Sequence, residues 1–270
     1  MDRWNENFAT ARSAFTSLIE RAGYGLDLRY DLDGWVAWMR AQQAEVNHTF
    51  NPELNGLTPE NCFWLAVSRG DEIVACIACR LFETDHYLQD IARGRLWYAA
   101  PEEETELVVS PDYVRIDGRI GHHGGCFITK ACRGQGFPVV LTRLTRAITG
   151  TLWAPDWHAG MIKQDPPPAR DLARKYGYRW QVPIIRGYSA GRRARAAVDM
   201  TLIDRAAMLG QALEDARTLQ FHEGGDMRDV AAVLTERTEQ PQIRLRTLAE
   251  YAADQRELRR QRLGAYRLQA

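Results

Sequence analysis

The order of apolar and polar residues predicts a chain that alternates between helices and strands. Apolar residues recur at helical spacing over Asn7–Ala22 and again from about Asp33 to Asn47, where tryptophans supply the apolar face. A short alternating run around Leu28 indicates a strand between these helices. Cys62–Phe82 is apolar on both sides of the polar residues 68–71, which predicts a hairpin of two buried strands.

The second half of the chain predicts a strand, a glycine turn and a helix. The strand Ile120–Thr129 leads into Arg133-Gly134-Gln135-Gly136, and an amphipathic helix follows over Phe137–Gly150. Its apolar residues share one face, so we expect Arg143 and Arg146 to point away from the core. Another helix is expected over Ala169–Lys175, and further strands are expected over Trp157–Ile162, Tyr178–Ile185 and Ala196–Ile203.

The last part of the chain is helical in composition. Gly224-Gly225 and Pro241 interrupt it. We therefore expect an α/β domain at residues 1–204 and a helical C-terminal extension at residues 205–270. The final thirty residues are rich in arginine but also carry leucines on one side. The extension is expected to dock on its own domain or on a second copy, which makes a homodimer through these helices an expected assembly.

Composition limits the classes of function. The chain has 270 residues, 45% of them hydrophobic, and 35 basic residues balance 35 acidic ones. Such a chain can bury a large core, and its net charge of zero gives no general attraction to nucleic acid or to an anionic membrane. Neither is an expected partner. The first residues lack an apolar signal core, and no run is long enough to span a bilayer, so we expect a cytoplasmic protein.

The five cysteines are odd in number and lie mostly in apolar runs. This usage is typical of buried free thiols in a reducing compartment. Cys76 and Cys79 have the spacing of a metal or redox pair, but they lie inside an apolar strand without a second pair. We expect core thiols there and no metal site.

The glycine turn has the properties of a phosphate-binding site. Glycine lets the backbone turn sharply and lets a ligand approach its N–H groups. The helix that begins near Phe137 presents unpaired amides and the positive end of its dipole, and Pro138 fits its first turn. The patterns that mark dinucleotide and nucleoside triphosphate sites are absent from this sequence.

The strand, the turn Arg133-Gly134-Gln135-Gly136-Phe137-Pro138 and the helix together resemble the GCN5-related N-acetyltransferase (GNAT) superfamily. Its acyl-coenzyme A signature, Arg/Gln-x-x-Gly-x-Gly/Ala, lies at such a turn. The segment 169–178, which closes in Lys-Tyr-Gly-Tyr, is similar to a later helix of that family. The resemblance covers roughly residues 26–203. It implies an α/β fold of GNAT type, with a central mixed, mostly antiparallel sheet flanked by helices.

The resemblance also implies an activity and its site. The chain would be an acyl-CoA-dependent N-acyltransferase, with acetyl-CoA or another acyl-CoA as co-substrate and an amine-bearing small molecule or protein as acceptor. In the family the turn amides hold the pyrophosphate and the preceding strand pairs with the pantetheine arm. Carried onto this chain, the cofactor-binding residues are Phe127, Ile128, Thr129, Arg133, Gly134, Gln135, Gly136 and Phe137.

Two positions depart from the family pattern. Pro138 stands where a small residue is usual, and it removes one possible amide donor. Ala173 stands where many members carry a tyrosine that acts as the acid. Tyr176 and Tyr178 are near that position in sequence but out of register, which leaves the acid unassigned.

A base for the acceptor amine is expected near the start of the same strand. His122 and His123 lie there, and histidine titrates near neutral pH. Adjacent strand residues face opposite sides, so one of the pair could point into a cleft. The alternative is that both are structural. Gly124 and Gly125 weaken a strand unless a bulge or a close approach requires them.

Two other functions remain open from the sequence. The chain could be a noncatalytic or regulatory module that binds acyl-CoA on the same scaffold, as the departures at Pro138 and Ala173 would allow. Alternatively, it could take the acyl group from an acyl-carrier protein, because Arg192, Arg193 and Arg195 form a basic segment that could meet an acidic carrier.

Overall fold

The protein is built around one seven-stranded sheet. The computed structural model describes residues 3–164, 171–222 and 226–267. The strands lie side by side in the order β1-β2-β3-β4-β5-β7-β6, with β4 and β5 parallel and the other neighbouring pairs antiparallel. Their bounds are β1 Gly25–Arg29, β2 Cys62–Arg69, β3 Glu72–Thr84, β4 Gly118–Ile128, β5 Trp157–Lys163, β6 Trp180–Ser189 and β7 Ala194–Asp204.

Helices cover both faces of this sheet. Their bounds are α1 Arg3–Arg21, α2 Leu32–Ala41, α3 Tyr87–Ala92, α4 Phe137–Leu152, α5 Leu172–Lys175, α6 Arg205–Phe221, α7 Met227–Glu236 and α8 Leu245–Arg267. The expected α/β class with a mixed, mostly antiparallel sheet is confirmed. Residues 169–170 of the predicted helix and Gly224-Gly225 lie outside the described residues. Among the helices of the described ranges, none is long and apolar enough to cross a bilayer.

The side chains of β2 point alternately to the two faces of the sheet and contribute to the core on each face. Phe63 and Leu65 pack with α1 and α4, whereas Trp64 and Ala66 pack with α2. Side chains of successive strand residues point to opposite faces, so one strand supplies two cores. We call these sides the α4 face and the α2 face. The α4 face is covered by α1, α4, α6 and α7, and the α2 face by α2, α3 and α8.

The expectation that Arg143 and Arg146 point away from the core was wrong. Both side chains are buried. The reason is that α6 and α7 cover the side of α4 that would otherwise face solvent. Arg143 Nη1 donates to Asp215 of α6 at 2.6 Å, and Arg146 Nη2 donates to the carbonyl oxygen of Tyr176 at 3.0 Å. Helical periodicity within α4 carries no information about a later segment that packs on it.

The final helix docks on its own sheet. Leu248 and Ala252 of α8 are buried in the core of the α2 face. The Tyr251 ring lies 6.1 Å from the Trp157 ring and 4.8 Å from the Trp180 ring, measured between centroids. This is one of the two arrangements expected for the apolar side of the extension. The homodimer stays a prediction.

Candidate active site

A cleft opens where β4 and β5 separate. Their parallel pairing covers Ile120–His122 of β4 and Trp157–Ala159 of β5. Beyond that point the two strands diverge and enclose a cavity of about 580 Å³. The second halves of both strands line it, and residues from both faces of the sheet contribute to its walls. The cleft therefore has walls from both faces of the sheet.

A β-bulge bends β4 where it borders this cleft. Cys76 of β3 pairs with Phe127, and Ala78 pairs with Gly124, so β4 holds one extra residue between these pairs. Gly125 takes φ +58°, and a Cβ there would lie 2.5 Å from the Trp35 ring. At Gly124 a Cβ would lie 3.0 Å from Phe50. The two glycines are thus explained by a bulge and by a close approach, the two conditions that the sequence indicated.

The glycine turn lies at the end of the same strand, before α4. Gly134 and Gly136 have φ of +81° and +83°, a conformation that favours glycine. Within the described residues, the amides of residues 134–137 donate to no protein acceptor. A Cβ on Gly134 would meet no atom within 4 Å, so the space in front of the turn is open. The arrangement is an anion cradle at a helix N-terminus.

The turn is held in place by its neighbours. The Gln135 side chain accepts a hydrogen bond from the Tyr24 hydroxyl at 2.5 Å. The Phe137 ring is fully buried and packs edge-to-face on Tyr24, with 5.0 Å between centroids. Phe137 can therefore serve a ligand through its backbone amide alone. Arg133 is exposed, and its Nε donates to the Ile128 carbonyl at 3.4 Å.

The last residues of β4 divide their backbone groups between the sheet and the cleft. The Thr129 amide donates to the Val74 carbonyl at 2.9 Å, so it is not free to pair with a ligand. Any cofactor contact of Thr129 would therefore use its side chain or its carbonyl oxygen, and cofactor binding by residues 127–129 stays a prediction. Alternate residues of a strand direct their amides to opposite sides, which leaves the Ile128 amide facing the gap between β4 and β5. Phe127 lines the cleft, where its ring lies 5.7 Å from the Trp38 ring.

Neither a protein-family model nor a curated protein matches this chain. Some solved structures are similar to it. NAA60 of Arabidopsis thaliana in complex with acetyl-CoA is 10% identical with a TM-score of 0.43, over 67% of this chain and 99% of that one. RimJ of Mycobacterium smegmatis in complex with CoA-disulfide is 12% identical with a TM-score of 0.35, over 78% of this chain and 86% of that one.

The two predicted histidines lie on opposite faces of the sheet, and both line the cleft. His122 is on the α2 face, where Nδ1 lies 2.6 Å from the Tyr87 hydroxyl and the ring stacks on Phe50. Burial, assisted by the charge of Arg80, lowers the pKa of His122 to about 3. The imidazole is therefore neutral at physiological pH, and its aromatic surroundings fix its orientation.

His123 is on the α4 face, in a stack of three aromatic rings. Its Nδ1 lies 2.7 Å from the Tyr178 hydroxyl, and its ring is nearly parallel to those of Tyr178 and His158. Burial, followed by the charges of His122 and Arg146, lowers the pKa of His123 well below its usual value. The ring has room because Gly160 of β5 carries no side chain: a Cβ there would lie 2.9 Å from His123 Cε1.

Tyr176 and Cys126 also line the cleft, although neither was among the predicted site residues. Tyr176 follows α5, and burial, followed by Cys126 and Tyr178, raises the pKa of its phenol. Cys126 is exposed as a residue, but burial of its thiol raises the pKa of that group to about 12. Both groups therefore carry their protons at neutral pH. The signal for Tyr176 was its place in Lys175-Tyr176-Gly177-Tyr178, three residues after the position where the family pattern expects a tyrosine.

Proposed function

We propose that this protein is an acyl-CoA-dependent N-acyltransferase. The observation that carries the proposal is the position of the open glycine turn at the end of β4, directly beside the cleft between β4 and β5. A pyrophosphate bound by the free amides of residues 134–137 would direct the rest of a coenzyme A molecule along β4 and into the cleft. The resemblance of the turn to the GNAT acyl-CoA signature agrees with this placement.

The donor is proposed to enter from the α4 face. The turn precedes α4, which covers that face. Exposed Lys130 and Arg133 flank the turn and add positive charge for the phosphates. The Ile128 amide is the backbone donor proposed to hold the acyl or pantetheine carbonyl. Since the donor would fill the α4 side of the cleft, the acceptor amine is left with the α2 side.

The reaction proposed is direct transfer. The neutral amine nitrogen forms a bond to the thioester carbonyl carbon, and the carbon–sulfur bond then breaks to release coenzyme A as the thiol. Holding both reactants in one cleft can contribute roughly 7–11 kcal/mol to catalysis. The Ile128 amide would stabilise the negative charge that develops on the carbonyl oxygen.

Two side chains are proposed to move the protons. His122 lies on the α2 side, where the acceptor would enter, and we assign it the proton that leaves the amine. Because the pKa of His122 is so low, its imidazole cannot deprotonate an ammonium group before the reaction. The acceptor amine must therefore bind in its uncharged form. Tyr176 lies on the α4 side and keeps its proton at neutral pH, so it is the proposed acid for the departing thiolate. His123, held against Tyr178 and His158, is proposed to shape the cleft rather than to transfer a proton.

Calorimetric titration of the full chain with acetyl-CoA and with longer acyl-CoA tests the donor assignment. A matched pair of variants places the site: Gly134→Asp and Gly134→Asn have nearly the same shape, but the first adds a negative charge in front of the turn. We expect the aspartate variant to bind at least tenfold more weakly than the asparagine variant, since like charges would meet at the phosphates. If no acyl-CoA gives a heat of binding, the proposal is refuted. If the aspartate and asparagine variants bind acyl-CoA equally well, the glycine turn is not part of the binding site.

Release of free thiol in the presence of amines tests the activity itself. The His122→Gln variant should lower kcat by roughly 10²-fold, the low end of the usual contribution of a general base because the pKa of His122 is far below neutral, while donor affinity changes little. His86→Gln, outside the cleft, is the matched control. Tight binding without thiol release from any amine would favour a noncatalytic module. Activity with a carrier-bound donor alone would favour the acyl-carrier alternative.

A further inference from the structure

The opening of the cleft on the α2 face has a distinct set of charged and polar side chains. We call it the acceptor mouth and define it by Glu45, His48, Lys163 and Arg192, all of which line the cavity. Lys163 ends β5, and its Nζ lies 2.6 Å from Glu45 Oε2. Glu45 and His48 belong to the loop between α2 and β2, and Arg192 belongs to the turn between β6 and β7. The mouth therefore joins three separate parts of the chain.

The two loops of the mouth are fastened to each other through Tyr98. Its hydroxyl lies 2.7 Å from Nδ1 of His48 and donates to the Ala190 carbonyl at 3.4 Å. The guanidinium of Arg193 lies 5.6 Å from the centre of the Tyr98 ring. Tyr98 thus holds the α2–β2 loop beside the β6–β7 turn. These contacts fix the positions of the two loops that carry Glu45 and Arg192.

The charges of the mouth do not balance. Partial burial acts to raise the pKa of Glu45, but the hydrogen bond from Lys163 and the charges of Lys163 and Arg192 lower it overall, so Glu45 is anionic. Burial, followed by the charge of Arg193, lowers the pKa of His48, which is therefore neutral at physiological pH. Among the described residues of the mouth, Lys163 and Arg192 bring two positive charges against the single negative charge of Glu45. Within the described residues Lys163 is paired with Glu45, whereas Arg192 forms no ion pair.

Behind the mouth the cleft is mostly apolar. The side chains that face an incoming acceptor there include Met39, Val46, Trp97, Met161 and Val198. An arginine at the rim of an apolar cavity suits a ligand with a carboxylate at one end and an apolar body, because its planar guanidinium binds a carboxylate through two parallel hydrogen bonds.

We infer that the acceptor is a free amino acid with an apolar side chain. Arg192 binds its carboxylate, the apolar wall receives its side chain, and its amine faces His122. This inference rests on the proposed function and adds the substrate class to it. A simple amine would leave the excess positive charge of the mouth uncompensated, and a peptide N-terminus would bring a neutral amide where the carboxylate belongs.

Three acceptors with the same apolar side chain and a primary amine test the inference: L-leucine, L-leucinamide and isoamylamine. With the acyl-CoA that binds most tightly in calorimetry, thiol release is measured for each in the full chain. Amine concentrations are corrected for the fraction that is unprotonated at the pH used. We expect kcat/KM for leucine to exceed that for leucinamide and isoamylamine by at least tenfold.

Variants of two arginines on the same hairpin separate a specific contact from general charge. Arg192→Gln should lower kcat/KM for leucine at least tenfold, mainly through KM, and change the value for leucinamide less than threefold. Arg195→Gln, an exposed arginine on β7 outside the cavity lining, should leave both values unchanged. Equal losses for leucine and leucinamide in Arg192→Gln would overturn the inference.

The outcomes also separate this inference from the proposed function. If acyl-CoA binds but leucine is acylated no faster than leucinamide, the inference fails and the N-acyltransferase proposal stands. If acyl-CoA binds and none of the three acceptors is acylated, the inference fails as well. If no acyl-CoA binds, both fail.

Discussion

The hydroxyl of Tyr24 lies 2.5 Å from Oε1 of Gln135, a residue 111 positions later in the chain. Arg69 donates to the same hydroxyl, and its guanidinium lies 4.8 Å from the centre of the Tyr24 ring. Tyr24, in the loop between α1 and β1, and Arg69, at the end of β2, thus both contact the glycine turn region. The conformation of the turn depends on side chains that lie far from it in sequence.

The first prediction concerns this contact. Tyr24→Phe removes one hydroxyl and keeps the ring on Phe137, so it should loosen Gln135 without disturbing the core. A hydrogen bond contributes about 0.5–1.5 kcal/mol, which corresponds to a loss of roughly 2–12-fold in acyl-CoA affinity. Calorimetric titration measures the acyl-CoA affinity of this variant, and Tyr113→Phe, on an exposed loop, is the control. An unchanged affinity would show that Tyr24 does not position the turn.

The second prediction compares the two glycines of the turn. Both glycines have a left-handed backbone conformation. A Cβ on Gly136 would lie 2.8 Å from the Cβ of Ala231 in α7, whereas a Cβ on Gly134 would meet no atom within 4 Å. Gly134→Ala should cost about 1–2 kcal/mol through backbone strain alone. Gly136→Ala should cost a further 1–3 kcal/mol or so, because α7 must shift. Urea denaturation measures both, and equal losses would contradict the close packing of α7 on the turn.

The third prediction is a loss of stability on mild acidification. Burial lowers the pKa values of His122, His123 and His158 in the folded protein below the usual value of about 6.5. The unfolded chain therefore binds more protons than the folded one. Stability that is complete above pH 6.5 falls as the pH decreases, by about 1.4 kcal/mol per pH unit for each histidine.

Denaturation midpoints between pH 7.5 and pH 5 test this expectation, because most carboxylates stay ionised over that range. The His158→Gln variant removes one titrating group from the stack beside Tyr178. Its stability should depend less steeply on pH than that of the unsubstituted protein. A slope that is the same in both proteins would mean that His158 is protonated in the folded state.

The fourth prediction concerns the ion pair that joins α4 to α6. Arg143 and Asp215 are 2.6 Å apart, with side chains 2% and 6% exposed. Arg143 also donates to the Thr238 hydroxyl at 2.6 Å and to the Leu234 carbonyl at 3.1 Å, which extends the contact to α7 and the loop after it. Asp215→Ala would leave a buried cation without its partner and should cost about 3–5 kcal/mol.

The double variant Arg143→Met with Asp215→Leu removes both charges and keeps apolar volume. Burial raises the pKa of Asp215 although Arg143 and Arg146 act to lower it, so the pair gains little net stability from being charged. The double variant should therefore be more stable than Asp215→Ala alone when both are unfolded in urea. A double variant that is the less stable of the two would show that the charges stabilise the fold directly.

Local patterns in the sequence predicted most of the elements that build the site. The strand that ends at Ile128, the turn at residues 133–136 and the helix from Phe137 lie close to their predicted places. These elements depend on apolar periodicity and on the backbone freedom of glycine, which act over a few residues. The burial of Arg143 and Arg146 was missed because it depends on α6 and α7, which begin at Arg205 and Met227, far beyond the end of α4 at Leu152.

The sequence by itself thus determined the glycine turn before α4, which we propose as an anion site, and the two histidines that precede it in β4. Only the tertiary structure decided that β4 and β5 part after His122 and Ala159, that Gly125 forms a bulge over Trp35, and that both histidines line the cleft. These features depend on register and on contacts between residues far apart in the chain. A one-residue bulge changes which side chains share a face, and no local pattern fixes it.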